Sequence, residues 1–358
     1  MKGCGGRAGR LVLLGGLLGA AAVGCRRDET PRPEPASASG PGAMARPVAE
    51  EPPRPPAPSA SASAPAPAEW GPCKSAGKVS VTRYNMAMTR LPDGRVLLIG
   101  GGIHDSGGAQ VAVDVVDPDR LTVEPFAPLN LGRLMARAVA LPGGKVVVAH
   151  GITTSKEGSP SVEIYSPESK SWRLIRGLAR FEVIQPLVAA LPGGKVLVAG
   201  GDLSWKGALS QESCLLDVAT GKATPTGPLP GPGATGGFYR YDRRGAVVWA
   251  AENRDENGVP DGKDCDLSFD PEKKVWTDTG ACRSVADAAD RYPDASGKTS
   301  LFGHGTNTLM RYEDRGWKEV HAFPKNTPGS SLYDGLGIDA HRLVGVDGET
   351  GDVLVCSL

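Results

Sequence analysis

LPGGKVLVAGG, running from Leu191 to Gly201, is the third of three near-copies in the chain. LPDGRVLLIGG opens at Leu91 and LPGGKVVVAHG at Leu141, so the copies begin at 91, 141 and 191. Self-similarity at such a period marks a repeat architecture, in which each supersecondary unit buries its apolar face against the next. Within a copy, Leu-Pro-Gly-Gly-Lys is turn chemistry, because proline presets φ and glycine supplies a positive φ at no steric cost. The four aliphatic residues that follow read as a short strand buried on both faces.

Working outward, apolar runs lie just upstream of the second and third copies, at Met135–Leu141 and Pro186–Leu191. Each makes a hairpin with the strand after its turn. Downstream, Val162–Trp172 and Leu267–Trp276 each read as a strand, a polar turn and an outer strand opening on tryptophan. Four strands in about fifty residues make one propeller blade. The units resemble kelch repeats, as found in galactose-oxidase-like propellers. A glycine doublet closes the second strand, a Tyr165-Ser-Pro-Glu or Phe269-Asp-Pro-Glu turn follows the third, and Trp172 or Trp276 opens the fourth. The resemblance spans residues 80–358 and implies an all-β, six-bladed kelch-like β-propeller, with seven blades as the alternative. Gly245–Ala251 carries the fourth unit without its glycine doublet. Lys298–Gly305 and Tyr312–Trp317 carry a shortened fifth, and Arg342–Asp347 begins a sixth that ends at Asp352–Leu358. That last unit lacks an outer strand, which only the N-terminal side can supply. Lys74–Val81 is the expected clasp, and it would remove an exposed sheet edge.

The chain ahead of the repeats is of another kind. Residues 1–24 have a basic start (Lys2, Arg7, Arg10), an apolar centre and a small-residue end, the pattern of a secretory signal peptide. Its close, Ala22-Val-Gly-Cys25, resembles a bacterial lipobox, which implies lipidation of Cys25 and a lipid anchor in the membrane. Arg26 follows, so the outer membrane is expected, with the protein on its periplasmic side or at the cell surface. An ordinary cleaved signal is the alternative. Residues 25–69 are Pro-, Ala- and Ser-rich with almost no large apolar side chain, and cannot offset the entropy of ordering. They read as a disordered tether reaching on the order of 100 Å. Residues 70–358 are the propeller.

Formal net charge is zero and aromatic residues make up 5% of the chain, so neither a nucleic-acid footprint nor a base-stacking platform is legible. The propeller is expected to be monomeric. Of seven cysteines, Cys4 falls within the signal and Cys25 takes the lipid. The remaining five sit in a compartment where disulfides persist. Pairing cannot be read from sequence, but the architecture suggests Cys73 with Cys356 across the clasp and Cys265 with Cys282 inside the fourth unit. Cys214 is then a buried strand thiol.

In a four-stranded meander the first-to-second and third-to-fourth turns share one face. The second-to-third loops and the links between units share the other. The first class is tight here, whereas the second is long: Ile103–Gln110, Ile152–Ser161, Asp202–Gln211 and Glu252–Asp264. Long loops on a rigid scaffold are where binding concentrates. His104 and Asp202 sit in two of these loops. His150 replaces the first glycine of its doublet, and His304 lies by the matching strand of the fifth unit; a hydrogen-bonded strand-end histidine is the alternative reading of each. Arg83 and Arg133 occupy equivalent places before the innermost strands. They either ring the channel mouth, facing an acidic or sugar ligand, or brace neighbouring units through carbonyls.

The Glu252–Asp264 loop places oxygen ligands at Asn253, Asp255, Asn257, Asp261 and Asp264, with Gly258 in the turn and the Val259 carbonyl available. That is calcium-loop spacing, and Gly-Val-Pro-Asp resembles the calcium repeats of thrombospondin type 3. A solvated acidic hairpin is the alternative. Enzyme signatures are missing from the sequence: it has no sialidase box, Gly-x-Ser-x-Gly elbow or HExxH. The expected function is a binding module for a protein partner or polysaccharide. A carbohydrate-active enzyme with dispersed catalytic residues and a structural envelope scaffold are the alternatives.

Overall fold

The chain divides between Ala62 and Ser63, and everything described belongs to the second unit. The computed structural model describes residues 69, 70 and 72–357, apart from 104–107, 154–159, 179–182, 204–207, 255–259, 285–289, 293–301, 306–307, 314–315, 324, 326–331 and 340. The segment expected to be a signal peptide, Cys25 and nearly all of the expected tether therefore lie outside the described residues.

Two N-terminal strands, β1 (Glu69–Trp70) and β2 (Cys73–Lys78), precede the repeats. Sheet one is then the meander β3 (Ala87–Arg90), β4 (Val96–Ile99), β5 (Val113–Asp117) and β6 (Thr122–Pro125). A short strand β7 (Arg133–Leu134) leads into sheet two, formed by β8 (Arg137–Ala140), β9 (Val146–Ala149), β11 (Ser161–Ser166) and β12 (Ser171–Arg176). β10 (Ile152–Thr153) pairs back on β7. Sheet three is β13 (Leu187–Leu191), β14 (Lys195–Ala199), β15 (Ser213–Asp217) and β16 (Ala223–Pro225). Sheet four is β17 (Thr235–Tyr241), β18 (Val247–Arg254), β19 (Pro260–Asp270) and β20 (Val275–Ser284). Sheet five is β21 (Asp290–Tyr292), β22 (Phe302–Gly305), β23 (Thr308–Glu313) and β24 (Gly316–Ala322). In sheet six, β25 (Leu332–Gly337), β26 (Arg342–Asp347) and β27 (Asp352–Ser357) are completed by β2 and β1.

The quoted repeat builds these sheets as its chemistry dictates. Leu91 and Leu141 donate to Arg95 and Lys145 across the turn (2.7 and 2.8 Å), and Gly94 and Gly144 sit at φ 93° and 83°. The strands after the turns, β4, β9 and all but the first residue of β14, are buried throughout. Both faces are covered because the apolar clusters lie between neighbouring sheets. Leu97, Ile99 and Leu129 meet Val146, Val148 and Trp172 between sheets one and two. Equivalent clusters join sheets two and three, three and four, five and six, and six and one. The result is an all-β, β-propeller-like arrangement.

The clasp begins one residue earlier than expected and ends at Lys78. Cys73 opposes Cys356 in the ladder and is disulfide-bonded to it. Cys265 is bonded to Cys282 directly across β19 and β20. Cys214 is free and buried.

Candidate functional site

Arg83 and Arg133 do not face a channel mouth; both are interior. The Arg83 guanidinium donates to the carbonyls of Gly100 (2.6 Å), Val81 (2.8 Å) and Leu98 (3.2 Å), and meets Asp114 Oδ2 at 2.7 Å. Arg133 Nη1 donates to the carbonyls of His150 and Ser161, each at 3.0 Å. Its Nη2 meets Ser161 Oγ at 3.0 Å and Glu163 Oε1 at 3.3 Å. All four charged side chains of these two pairs are fully buried. Glu163 also accepts the Asn130 and Leu131 N–H groups. These arginines brace, and a planar donor fork suits that task. A strand-closing carbonyl and a buried carboxylate are what each arginine holds.

The same places can be followed into sheet three by register. The second residue of each doublet, Gly101, Gly151 and Gly201, donates across to the next sheet, to the carbonyls of Arg133, Val183 and Ala234. The partner of Leu98 across the ladder is Asp114, that of Val148 is Glu163, and that of Val198 is Cys214. Sheet three thus replaces the arginine–carboxylate pair with Val183 and Cys214, which are much shorter. There a cavity of about 580 Å³ opens, within the usual range for small-ligand sites. Its walls come from the ends of β14 and β16, the start of β15 and the link from sheet two, so it belongs to the long-loop face. Leu178, Val183, Val198 and Pro228 make it apolar, while Ser210, Glu212, Ser213 and Thr226 supply polar groups.

His150 also lines this cavity. It takes the left-handed conformation (φ 58°) that Gly100 and Gly200 adopt in the other copies. A Cβ on Gly100 would come within 2.5 Å of the Arg133 carbonyl, so a side chain at this position needs the neighbouring sheet to leave room. His150 is 3% exposed, and its Nδ1 has no hydrogen-bond partner among the described residues. Burial, with Arg133 nearby, pushes its pKa down to about 4, so the imidazole is neutral at physiological pH. Burial pushes the Cys214 thiol up to about 12. A reactive cysteine needs the opposite shift, so Cys214 with His150 is not an activated nucleophile.

Asp202 is buried beside this region, and its backbone bridges Ile184 and Leu209. His104 lies outside the described residues, as do Asp255, Asn257 and Val259. β18 and β19 remain paired as far as Arg254 opposite Pro260, so Asn253 and Asp261 belong to strands and the connection narrows to 255–259. Asp264 sits in the ladder between Glu252 and Arg283 with its side chain fully buried. His304 lies within β22, between Asp290 and Leu309. His341 is exposed at the opening of β26.

A second feature has no local sequence signal. Asn85, Met135 and Gln185 recur at 50-residue spacing, all with φ between 50° and 58°. Met135 donates its N–H to the Asn85 carbonyl and Gln185 to that of Met135, both at 3.0 Å, and Gly236 to that of Gln185 at 3.3 Å. This chain of bonds runs from sheet to sheet beside the innermost strands. At its start, Asp334 of β25 accepts the Met86 N–H at 3.2 Å. Burial raises the Asp334 pKa to about 7.

Among known proteins, no family model and no curated relative matches the chain. A solved structure of YjhT, a kelch-type β-propeller protein, superposes with a TM-score of 0.55 over 78% of this chain and 95% of its own. At 14% identity that likeness shows the fold alone: an all-β, β-propeller-like architecture.

Proposed function

We propose that the chain is a lipid-anchored protein of a bacterial envelope whose six-bladed, kelch-like propeller binds a protein partner through its long-loop face. One observation carries the choice of face: the 580 Å³ cavity opens there, with a buried imidazole nitrogen lining it. On the tight-turn face a smaller hollow lies among Asp93, Arg95, Asp117 and Arg120, whose charges already pair with one another. The six-blade reading is supported by the six sheets of four or more strands among the described residues and by the pairing of β2 with β27; the anchor and tether rest on the sequence of residues 1–69. Outer-membrane placement rests on Arg26 after Cys25.

A photo-crosslinking residue at Gln211, exposed beside the cavity, is expected to capture the partner in intact envelopes, whereas one at Arg95 is not. Adducts from Arg95 alone would overturn the choice of face. Turnover of a glycan panel would favour the enzyme reading, and saturable polysaccharide binding at Gln211 would replace the partner class.

Calcium at the β18–β19 hairpin is part of the same proposal, as a structural ion held by Asn253, Asp255, Asn257, Asp261 and the Val259 carbonyl. Of the expected ligands, Asp264 fits least, since it is drawn into the ladder. The melting temperature is expected to rise with calcium over chelator, and Asp261→Ala to remove the rise. Identical melting in both buffers would leave a solvated hairpin.

A further inference from the structure

The repeat supplies an internal control for a third arginine, Arg137. It opens β8 opposite Ala149, where Ala87 stands opposite Ile99 in sheet one and Leu187 opposite Ala199 in sheet three. Ala87 and Leu187 are 1% and 3% exposed and belong to the apolar clusters between sheets. The fold therefore needs no charge at this place. Arg83 and Arg133 spend their guanidinium groups on carbonyls and carboxylates. That of Arg137, half-buried, has no partner within hydrogen-bonding reach among the described residues. Burial pushes its pKa down, the mark of a cation desolvated without close pairing, and only the charge of Asp334 acts against that.

Asp334 belongs to sheet six, with sheet one between it and sheet two. Its charge reaches Arg137 along the inner edge, where β25, β3 and β8 lie side by side. This is the long-loop end of those strands, since the links between units enter them there. The chain of bonds through Asn85, Met135 and Gln185 rims the same edge. The side-chain amides of Asn85 and Gln185, both half-buried, make no hydrogen bond among the described residues. A guanidinium with amide donors nearby complements a carboxylate, whose two oxygens match the planar fork. Asp334 does not fill that role. It accepts the Met86 N–H, and with its pKa raised to about 7 by burial it is about half protonated near neutral pH.

We propose that Arg137 is the receptor for a carboxylate, an acidic side chain presented by the partner, with the Asn85 and Gln185 amides beside it. This rests on the reading of the long-loop face as a binding surface and names the group that face recognises. Asp334 makes the site sense pH. Ionised, it offsets the charge of Arg137 and repels the incoming carboxylate; once it takes a proton from solvent, the guanidinium is left to the ligand. The other charge that Asp334 feels, Arg83, is committed to Asp114. On β26, Asp347 holds the N–H groups of its own turn, and Arg342 pairs with Asp119 and Asp339. Arg90 is exposed at the far end of β3. β21 and β22, also beside β25, carry Asp290, Arg291 and His304, so a variant at Asp334 alone is the control.

The test titrates the full-length protein with N-acetylglutamate amide, its neutral isostere N-acetylglutamine amide, N-acetylalanine, whose carboxylate is that of a chain end, and inorganic phosphate. Glutamate amide is expected to bind saturably and at least tenfold more tightly than glutamine amide or phosphate. Arg137→Ala and Arg137→Leu supply the residues of sheets one and three. Each should weaken glutamate binding at least tenfold with its circular dichroism unchanged. Affinity should rise about tenfold from pH 8 to 6, as one group titrating near 7 takes up its proton, and Asp334→Asn should flatten that rise. Equal affinity for the glutamate and glutamine compounds, or glutamate binding that survives Arg137→Leu, overturns the proposal. Phosphate binding as tight as glutamate overturns the carboxylate assignment, and tighter binding of N-acetylalanine overturns the side-chain source. A flat pH profile overturns the part given to Asp334. Should both Arg137 variants misfold, Arg137→Lys decides: it keeps the charge without the fork and should weaken binding at least fivefold, and an unchanged affinity overturns the proposal. The Gln211 crosslink judges the binding-module reading separately.

Discussion

His150 and Asp334 are buried titratable groups whose pH dependences oppose each other. The His150 pKa, about 4, lies below the ordinary 6.5. Its stability contribution is complete above pH 6.5 and is lost as pH falls toward 4, since the unfolded chain takes up a proton that the native one refuses. Asp334 is raised from 3.8 to about 7. Its contribution is complete below about pH 4 and is lost as pH rises through 7. Each shift corresponds to about 3–4 kcal/mol, so the wild-type protein is expected to show little net slope between pH 4 and 6.5. His150→Gly, which restores the residue of the other repeats and relieves a left-handed conformation, should gain stability relative to wild type as pH falls across that window. Asp334→Asn keeps an acceptor for Met86 and should lose stability faster than wild type. Urea midpoints from pH 4 to 8 check both, and wild-type profiles in the two variants would remove the account. The sequence marked His150 as a glycine replacement, but nothing local announced Asp334, which meets the Met86 N–H and the charge of Arg137 only once distant parts of the chain come together.

At the level of elements, the turn and buried strand of each repeat were legible because proline, glycine and four aliphatic residues act locally. The braces were half legible. Arg83 and Arg133 stood out by their spacing, yet their carboxylates, Asp114 and Glu163, lie about thirty residues downstream and become neighbours only once the ladder forms. Setting Val183 against Arg83 and Arg133 at the 50-residue offset would have pointed to the cavity. The left-handed Asn85, Met135 and Gln185 gave no signal, since none is a glycine. The brace of sheet two makes a quantitative expectation. Arg133→Val leaves Glu163 buried and uncompensated, and should cost about 3–5 kcal/mol. Adding Glu163→Cys gives sheet two the pair of sheet three, but also strips Asn130 and Leu131 of their acceptor. The double variant should recover part of the loss, with a coupling of about 1–3 kcal/mol between the sites. Denaturant midpoints of the four proteins measure it, and strict additivity would refute the pairing.

For the molecule as a whole, the repeat period and the unfinished last unit were enough to foresee a run of four-stranded sheets and a strand returned from the N-terminal side. The final ladder places that strand between β27 and β1. Its disulfide, Cys73 to Cys356, spans 283 residues and ties the two ends of the repeat region together. This linkage sets how the molecule carries tension. A pull on the chain ahead of Cys73 passes at once through the sulfur bridge into β27 instead of peeling β2 away from its neighbour one hydrogen bond at a time. The load path enters and leaves the repeats at a single covalent point, so hauling on the N-terminal segment drags the folded body along without unzipping it. Under reducing conditions the same pull meets only the β2–β27 ladder.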